Sequence, residues 1–180
     1  MDDLTRLFLA ARDGDRSSLH EAIRRSQADV WRFTAHLVGT ADADDVTQDT
    51  YLRAWRALPA FRADSGARTW LLSIARRAAA DQIRHHQRRR RVDERARDAA
   101  GPATVDGHEL VELVDLLEHL DTNQRAAFVL TQVLGLSYAE TADVCDVRIG
   151  TVRSRVARAR AALIDELRPD RSDDVESAAG

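Results

Sequence analysis

The pattern of hydrophobic positions predicts a chain built from helices. From residue 4 to about residue 90, apolar residues recur at helical spacing, as in Trp31, Ala35 and Val38, and alternating β-branched runs are absent. Glycine, proline and acidic residues divide this half into about four helices, with breaks at Gly14, at residues 39–42 and at residues 59–66. We therefore expect a first helical domain over residues 1–92.

The second half of the chain predicts a separate helical domain. The periodicity lapses over residues 93–108, where charged residues mix with alanine, glycine and proline, and we interpret this segment as a flexible linker. It returns over residues 109–168, beginning with an apolar stripe at Leu110, Leu113, Val114, Leu117 and Leu120. Residues 169–180 are acidic and rich in small residues, which indicates a disordered tail. The fold class is therefore all-α, with two small domains.

A helix-turn-helix pattern lies in the second domain. Gly135 ends a helix over residues 124–134, and Ser137 with Glu140 forms a capping box for a short helix that runs from Tyr138 to Cys145. A turn of three or four residues separates that helix from another over residues 150–167. This geometry places the second helix in the major groove of DNA. An ordinary solvated helix in a bundle is the alternative.

The composition of that second helix supports DNA contact. Val152, Val156, Ala159 and Leu163 repeat at helical spacing and should pack inward. The residues left to face outward are Thr151, Arg153, Ser154, Arg155 and Arg158. Arginine binds phosphates and reads guanine through paired donors, so this face suits a recognition helix.

Charge distribution is more informative than net charge. The formal net charge is only -3, but all 27 basic residues are arginine, and they concentrate at residues 84–97 and 148–160. The absence of lysine can be explained without function, by a GC-rich genome that disfavours lysine codons. The clustering of the arginines in two tethered domains, in contrast, favours phosphate binding. Arg76, Arg77 and Arg84 belong to the first cluster's helix, which we expect over residues 69–87.

Several classes of protein are excluded or disfavoured. A single cysteine, Cys145, cannot form an internal disulfide, and we expect no metal site and no cofactor because metal-binding and phosphate-loop motifs are absent. No nucleophile and base pair is evident, so we expect no catalytic residues and no enzyme activity. No apolar run approaches the roughly 20 residues of a membrane span. The acidic start does not resemble a secretory signal, and we expect a cytoplasmic protein.

The first domain carries two candidate surfaces. Asp45, Gln48, Asp49 and Leu52 share one helix face, which is either solvated surface or a docking strip for a basic partner. The loop around Phe61, Arg62, Ser65 and Arg68 mixes aromatic, basic and small residues, a composition that can hold an unstacked base. Phe61 and Trp70 can equally be core anchors, and for Trp70 we favour the core.

These segments together resemble the extracytoplasmic-function group of bacterial sigma factors, within the sigma-70 family. The resemblance runs from about residue 7 to residue 167 and rests on residues 44–55, 61–72 and 74–81 in the first domain. In the second domain it rests on Gln124-Arg125 and on residues 135–140 and 150–155. The order and spacing of these pieces make the resemblance specific.

The resemblance implies a role for each surface. The β′ clamp helices of core RNA polymerase would bind Asp44, Asp45, Gln48, Asp49 and Leu52. Single-stranded non-template DNA of the minus-ten element would bind Phe61, Arg62, Ser65, Arg68, Arg76, Arg77, Asp81 and Arg84. Duplex DNA of the minus-thirty-five element would bind Arg148, Gly150, Thr151, Arg153, Ser154, Arg155 and Arg158, with this domain on the polymerase β flap. Many members of the family are held by an anti-sigma factor, so such a partner is left open.

Two departures from the family pattern lie beside the recognition helix. Asp146 replaces the usual glycine of the turn, and aspartate tolerates a left-handed backbone better than most residues. Arg148 replaces the usual Ser or Thr cap, a loss of about 1 kcal/mol unless another group caps the helix. The turn before Gln124 also lacks the proline expected there.

Two other interpretations predict different behaviour. A helix-turn-helix regulator with a sensor or dimerisation domain would bind duplex operators without polymerase, as a symmetric dimer. A helical interaction protein, such as an anti-sigma decoy, would use its arginines for protein contacts only.

Overall fold

The computed structural model describes residues 1–94, 117 and 119–167, and it confirms the all-α fold class, because no strand occurs in those residues. The first half contains α1 (Asp3–Arg12), α2 (Arg16–Val38), α3 (Thr40–Ala57), a 3-10 turn (Leu58–Ala60) and α4 (Ala67–Glu94). The second half contains α5 (Thr122–Phe128), a π-helical turn (Val129–Val133), α6 (Tyr138–Cys145) and α7 (Ile149–Glu166).

Some of the predicted segments extend beyond these residues. The predicted linker lies outside the described residues from residue 95 onward, as does the predicted tail over residues 169–180. Helix α4 continues to Glu94, two residues past the predicted end of the first domain at residue 92. Of the apolar stripe at the start of the second domain, the structure describes Leu117 and Leu120, and both are buried.

Contacts between distant parts of the chain set the start of α4. The predicted helix began at residue 69, whereas the observed one begins at Ala67. The Ala67 backbone N–H donates to the Thr5 hydroxyl at 2.9 Å, and that hydroxyl donates to an Asp2 carboxylate oxygen at 2.6 Å. The N-terminus of α4 is thus capped by a side chain of α1, which local sequence could not reveal.

A glycine separates α2 from α3. Gly39 has φ +85°, in the region that residues with a side chain rarely adopt, and α3 begins at the next residue, Thr40. The predicted break over residues 39–42 is therefore shorter than expected. This sharp connection folds α3 back along α2, and α4 packs against both helices.

Aromatic residues fill the core of the first half. Phe8, Phe61 and Trp70 form a cluster in which the Phe61 and Trp70 ring centroids are 4.6 Å apart. Phe8 meets both rings edge-on, with centroid distances of 6.3 Å to Phe61 and 5.5 Å to Trp70. Phe61 is only 4% exposed, so the core role is the one that the structure shows for this ring.

The two halves of the chain pack against each other. Buried residues from both halves form one continuous apolar cluster, in which Leu71 and Leu72 of α4 belong with Leu130, Leu134 and Val144. Helices α2 and α4 supply most of the contact from the first half, and α5 and α6 supply it from the second. The two halves are therefore in contact in this arrangement.

Candidate functional site

The predicted docking strip is an open face of α3. Asp45, Gln48 and Leu52 are exposed and follow one another at helical spacing. Asp49 is half-buried and pairs with Arg53 of the same helix at 2.8 Å. Asp44 is exposed and accepts a hydrogen bond from the Trp31 indole N–H at 2.8 Å, so it also helps to hold α3 against α2.

An apolar groove of about 320 Å³ continues this strip. Trp55, one turn beyond Leu52, is 57% exposed, and Leu52 is 50% exposed. The groove behind them is lined by the apolar side chains of α1, α2 and α3, including Phe8, Leu19 and Ile23. Large apolar side chains this exposed are typical of protein interaction surfaces.

The second half of the chain covers one side of α4. The Arg68 guanidinium binds Asp29 at 2.7 Å and donates to the Leu134 carbonyl oxygen at 2.8 Å. Arg76, two turns later, donates to the Asn123 side-chain oxygen at 3.2 Å. Two of the predicted minus-ten residues therefore contact protein in this arrangement.

Another side of α4 is open. Arg77 and Arg84 are exposed and lie seven residues apart, with Asp81 between them at helical spacing. Arg88 is one turn further on and also exposed. In the preceding loop, Arg62 is exposed and Ser65 is half-buried. This open arginine stripe, Arg77, Arg84 and Arg88, is accessible to a phosphate backbone.

An ion-pair network ties the open side of α4 to α3. Arg53 donates to Asp81 at 2.6 Å, and Arg84 pairs with the second oxygen of the same carboxylate. The hydrogen bond from Arg53 lowers the pKa of Asp81 from its ordinary value, although burial opposes this effect. Asp81 was predicted among the minus-ten residues, and here its two oxygens are occupied by protein arginines.

The helix-turn-helix forms with the predicted caps. The Ser137 hydroxyl accepts from the Glu140 backbone N–H, and the Glu140 carboxylate accepts from the Ser137 backbone N–H at 2.8 Å. The Ser137 hydroxyl also donates to the Glu140 carboxylate at 2.7 Å, and this bond, together with the one from the Ser137 backbone N–H, lowers the pKa of Glu140. Asp146 adopts the left-handed conformation with φ 53°. No side-chain cap is present at Arg148, as its replacement of Ser or Thr predicted.

Helix α7 has a clear division between its faces. Val152, Val156 and Ala159 are buried, as predicted, and Leu163 is half-buried. The exposed members of the predicted minus-thirty-five set are Arg148, Gly150, Arg153 and Arg158, whereas Thr151, Ser154 and Arg155 are half-buried. The Ser154 hydroxyl donates back to the Thr151 carbonyl at 2.9 Å.

Arg155 differs from the other arginines of α7. Its Nη1 atom is buried and has no hydrogen-bond partner in the described part of the chain. Burial raises the pKa of the Cys145 thiol, and the charges of Arg76 and Arg155 oppose that rise, which places both guanidinium groups near Cys145. Arg155 is therefore less accessible than Arg148, Arg153 and Arg158 in this arrangement.

The described residues contain no group of three or more His, Cys, Asp or Glu side chains that could hold a metal ion. Within the same residues, no helix is both long enough and apolar enough to cross a bilayer.

Comparison with known proteins agrees with this geometry. The model for Sigma-70 region 2 matches residues 22–89, which span most of α2, α3 and most of α4. The model for Sigma-70, region 4 matches residues 110–163, which include the helix-turn-helix. The ECF RNA polymerase sigma factor SigC of Mycobacterium tuberculosis is 49% identical over 174 residues, covering 93% of this chain and 92% of SigC.

The chain belongs to the ECF sigma factors of the sigma-70 family. It is therefore a transcription initiation factor of RNA polymerase. The ECF RNA polymerase sigma-E factor of Escherichia coli is a more distant relative, 33% identical over 171 residues that cover 87% of this chain and 90% of that protein.

Two solved structures share the fold at a TM-score of 0.71 and 29% identity. One is RpoE from Bartonella quintana, solved in complex with the anti-sigma factor NepR. The match covers 85% of this chain and 98% of the RpoE chain. The other is CnrH in complex with the cytosolic domain of CnrY, with coverage of 92% and 97%.

Sequence reasoning missed two residues of this sigma factor's surfaces. Trp55 is three residues after Leu52, a spacing that indicates a shared exposed face. Arg53 pairs with Asp81, which is 28 residues away on another helix. No local signal connects these two positions.

Proposed function

We propose that this sigma factor carries core RNA polymerase to promoters by three contacts, one on α3, one around α4 and one on α7. The observation that carries the proposal is the presence of an open acidic and apolar strip on α3 and an open arginine face on a helix-turn-helix in one sigma-family chain. The protein supplies recognition and no catalytic group, and it works in the cytoplasm where polymerase and promoters are.

The polymerase contact is assigned to α3. The exposed Asp45 and Gln48 offer acceptors to basic groups of the β′ clamp helices, and Leu52 with Trp55 offers apolar area beside them. Exposed charges steer association, while buried apolar anchors supply most of the affinity. This combination suits a partner helix that presents both arginines and apolar residues.

The minus-ten contact is assigned to the loop after the 3-10 turn and to α4. Arg62, Arg77 and Arg84 are exposed and can bind the backbone of the non-template strand. Because Phe61 is held in the core, base stacking has to come from other groups of the loop. Stacking and pocket contacts worth roughly 1–3 kcal/mol per base would offset the cost of unpairing.

The minus-thirty-five contact is assigned to α7, with the second half of the chain on the β flap. The N-terminal residues of a recognition helix reach base edges, and here these include the exposed Arg148, Gly150 and Arg153. No side chain of the described residues caps this end of the helix, so the backbone N–H groups of Ile149 and Gly150 are suited to bind a DNA phosphate.

In vitro transcription tests the proposal. Core polymerase from the source organism is incubated with sheared genomic DNA, with and without the purified chain, and transcript ends are sequenced. We expect discrete starts with shared upstream sequence only when the chain is present. A chain that produces no specific transcript, yet alone protects duplex sites from cleavage, would be a helix-turn-helix regulator instead.

We also propose an anti-sigma factor as a regulatory partner. The support is the Bartonella quintana protein of similar structure, which was solved in complex with an anti-sigma factor. The test is co-expression of the product of the adjacent gene, followed by the same transcription assay. Loss of specific transcripts on its addition would support the pairing, and unchanged transcription would remove this candidate.

A further inference from the structure

The Asp81 carboxylate lies between arginines of two different helices. Arg53 of α3 donates to one oxygen at 2.6 Å, and Arg84 of α4 pairs with the other oxygen. An ionised carboxylate accepts on both oxygens, so Asp81 divides its charge between these two guanidinium groups. The strength of the ion pair between Asp81 and Arg84 therefore depends on the strength of the ion pair between Asp81 and Arg53.

The Arg53 guanidinium is likewise shared between two carboxylates. Its Nη2 atom binds Asp49 at 2.8 Å while Nη1 binds Asp81, and both pairings raise its pKa, the bond to Asp81 most of all. The result is a row of alternating charges, Asp49, Arg53, Asp81 and Arg84. The first three of these residues line an open groove of about 430 Å³ between α3 and α4. Since all four side chains are partly or largely exposed, each pair is weak and can exchange partners.

The two ends of the row belong to different surfaces. Asp49 lies on the docking strip of α3, and Arg84 lies on the open arginine stripe of α4. A basic group of the polymerase that takes Asp49 leaves Arg53 with Asp81 as its remaining acceptor. Asp81 is then neutralised more completely by Arg53, and Arg84 is released to a DNA phosphate.

We propose that Arg53 is a positioning residue that transmits polymerase binding at Asp49 to phosphate binding by Arg84. The inference rests on the proposed function, because it assumes that these two surfaces meet polymerase and DNA. By linkage, DNA bound at Arg84 strengthens polymerase binding by the same factor by which polymerase strengthens DNA binding.

The test measures that factor in the whole chain. The affinity of labelled sigma factor for core polymerase is measured with and without a pre-melted promoter fragment from the transcription assay, and the ratio of the two affinities is the coupling factor. Arg53→Met keeps the apolar stem and removes the charge, and we expect it to lower the coupling factor about fivefold. The matched control is Arg56→Met, an exposed arginine of α3 that makes no ion pair within the described residues, and it should keep the wild-type factor.

A second variant separates transmission from a structural role. In Arg53→Met, Asp81 retains Arg84, so holoenzyme should bind the pre-melted fragment more weakly, with a salt slope shallower by about 0.7, one phosphate contact on a single strand. In Asp81→Asn, Arg84 is released at all times, so DNA binding should be at least as strong as in wild type while the coupling factor still falls. Mere loss of a structural ion pair would weaken DNA binding in both variants.

Three results would overturn the proposal: a wild-type coupling factor in Arg53→Met, an equal loss in Arg56→Met, or weaker DNA binding in both Arg53→Met and Asp81→Asn. Circular dichroism checks that each variant folds. If Arg53→Met does not fold, the test rests on Asp81→Asn alone. An unchanged coupling factor in Asp81→Asn would then contradict the proposal. Failure of the wild-type chain to bind core polymerase would instead refute the proposed function.

Discussion

Arg153 and Arg155, two residues apart on α7, meet different surroundings. Arg153 is exposed, whereas Arg155 is half-buried and its Nη1 atom is buried without a hydrogen-bond partner among the described residues. The spacing of the sequence predicts a DNA contact for both residues. In the structure Arg153 is the more accessible of the two, so we expect it to make the stronger contact.

Arg153→Ala should therefore weaken promoter recognition. We expect a loss of about 1–3 kcal/mol in binding of a duplex fragment that contains the minus-thirty-five element, measured by competition with holoenzyme. Polymerase affinity should not change. Arg160→Ala is the control, because Arg160 is on the same helix but binds Gln132 at 2.7 Å. Equal promoter use by Arg153→Ala and wild type would remove Arg153 from the interface.

His36 should make the fold less stable in mild acid. Its side chain is 2% exposed, its Nδ1 atom has no partner within the described residues, and burial lowers its pKa from 6.5. The unfolded chain therefore takes up the proton first, so the free energy of unfolding falls as the pH drops below 6.5 toward the folded pKa. His36→Leu should flatten this dependence between pH 7 and pH 5 in thermal unfolding. The exposed His20, changed to Gln, should leave it as steep as in wild type.

At the scale of elements, α3 serves two purposes on two faces. Thr47, Thr50 and Ala54 are buried against the rest of the first half, while Asp45, Gln48 and Leu52 remain open. An interaction surface on a helix that is fixed along its whole buried side is positioned without the entropy cost of ordering a loop. The same arrangement makes charge changes on the open face tolerable for folding.

Asp45→Arg should accordingly weaken binding to core polymerase while the fold persists. Reversing one charge in a complementary interface replaces an attraction by a repulsion, and we expect at least about a tenfold loss of affinity. Fluorescence anisotropy with labelled sigma factor gives the affinity, and circular dichroism reports the helix content. Asp13→Arg, at the exposed end of α1, is the control. Unchanged affinity in Asp45→Arg would remove α3 from the docking surface.

At the scale of the whole molecule, the compact arrangement conflicts with DNA binding. Arg68 and Arg76 contact Leu134 and Asn123 of the second half, and one apolar cluster runs through both halves. The second half of the chain occupies one donor nitrogen of each guanidinium group and lies beside both, where a phosphate backbone would have to approach. We therefore expect promoter binding through Arg68 and Arg76 to require the halves to separate.

Energy transfer between dyes should report that separation. Cys145 is 2% exposed, so dyes can be placed on cysteines introduced by His20→Cys and Ala161→Cys, both at exposed positions. We expect high transfer efficiency in the free sigma factor and a marked decrease in holoenzyme bound to promoter DNA. A transcribing holoenzyme with the same efficiency as the free protein would contradict the requirement for separation.

The sequence by itself determined the helices, the helix-turn-helix and its caps, because these depend on residues three or four positions apart. Ser137 with Glu140, the left-handed Asp146 and the inward Val152 and Val156 are of this kind. Tertiary structure decided what depends on distant residues: the start of α4 under Thr5, the burial of Phe61 and the pairing of Arg53 with Asp81. It also decided which arginines are open, since a local pattern places a side chain on a helix face but does not show what packs against that face.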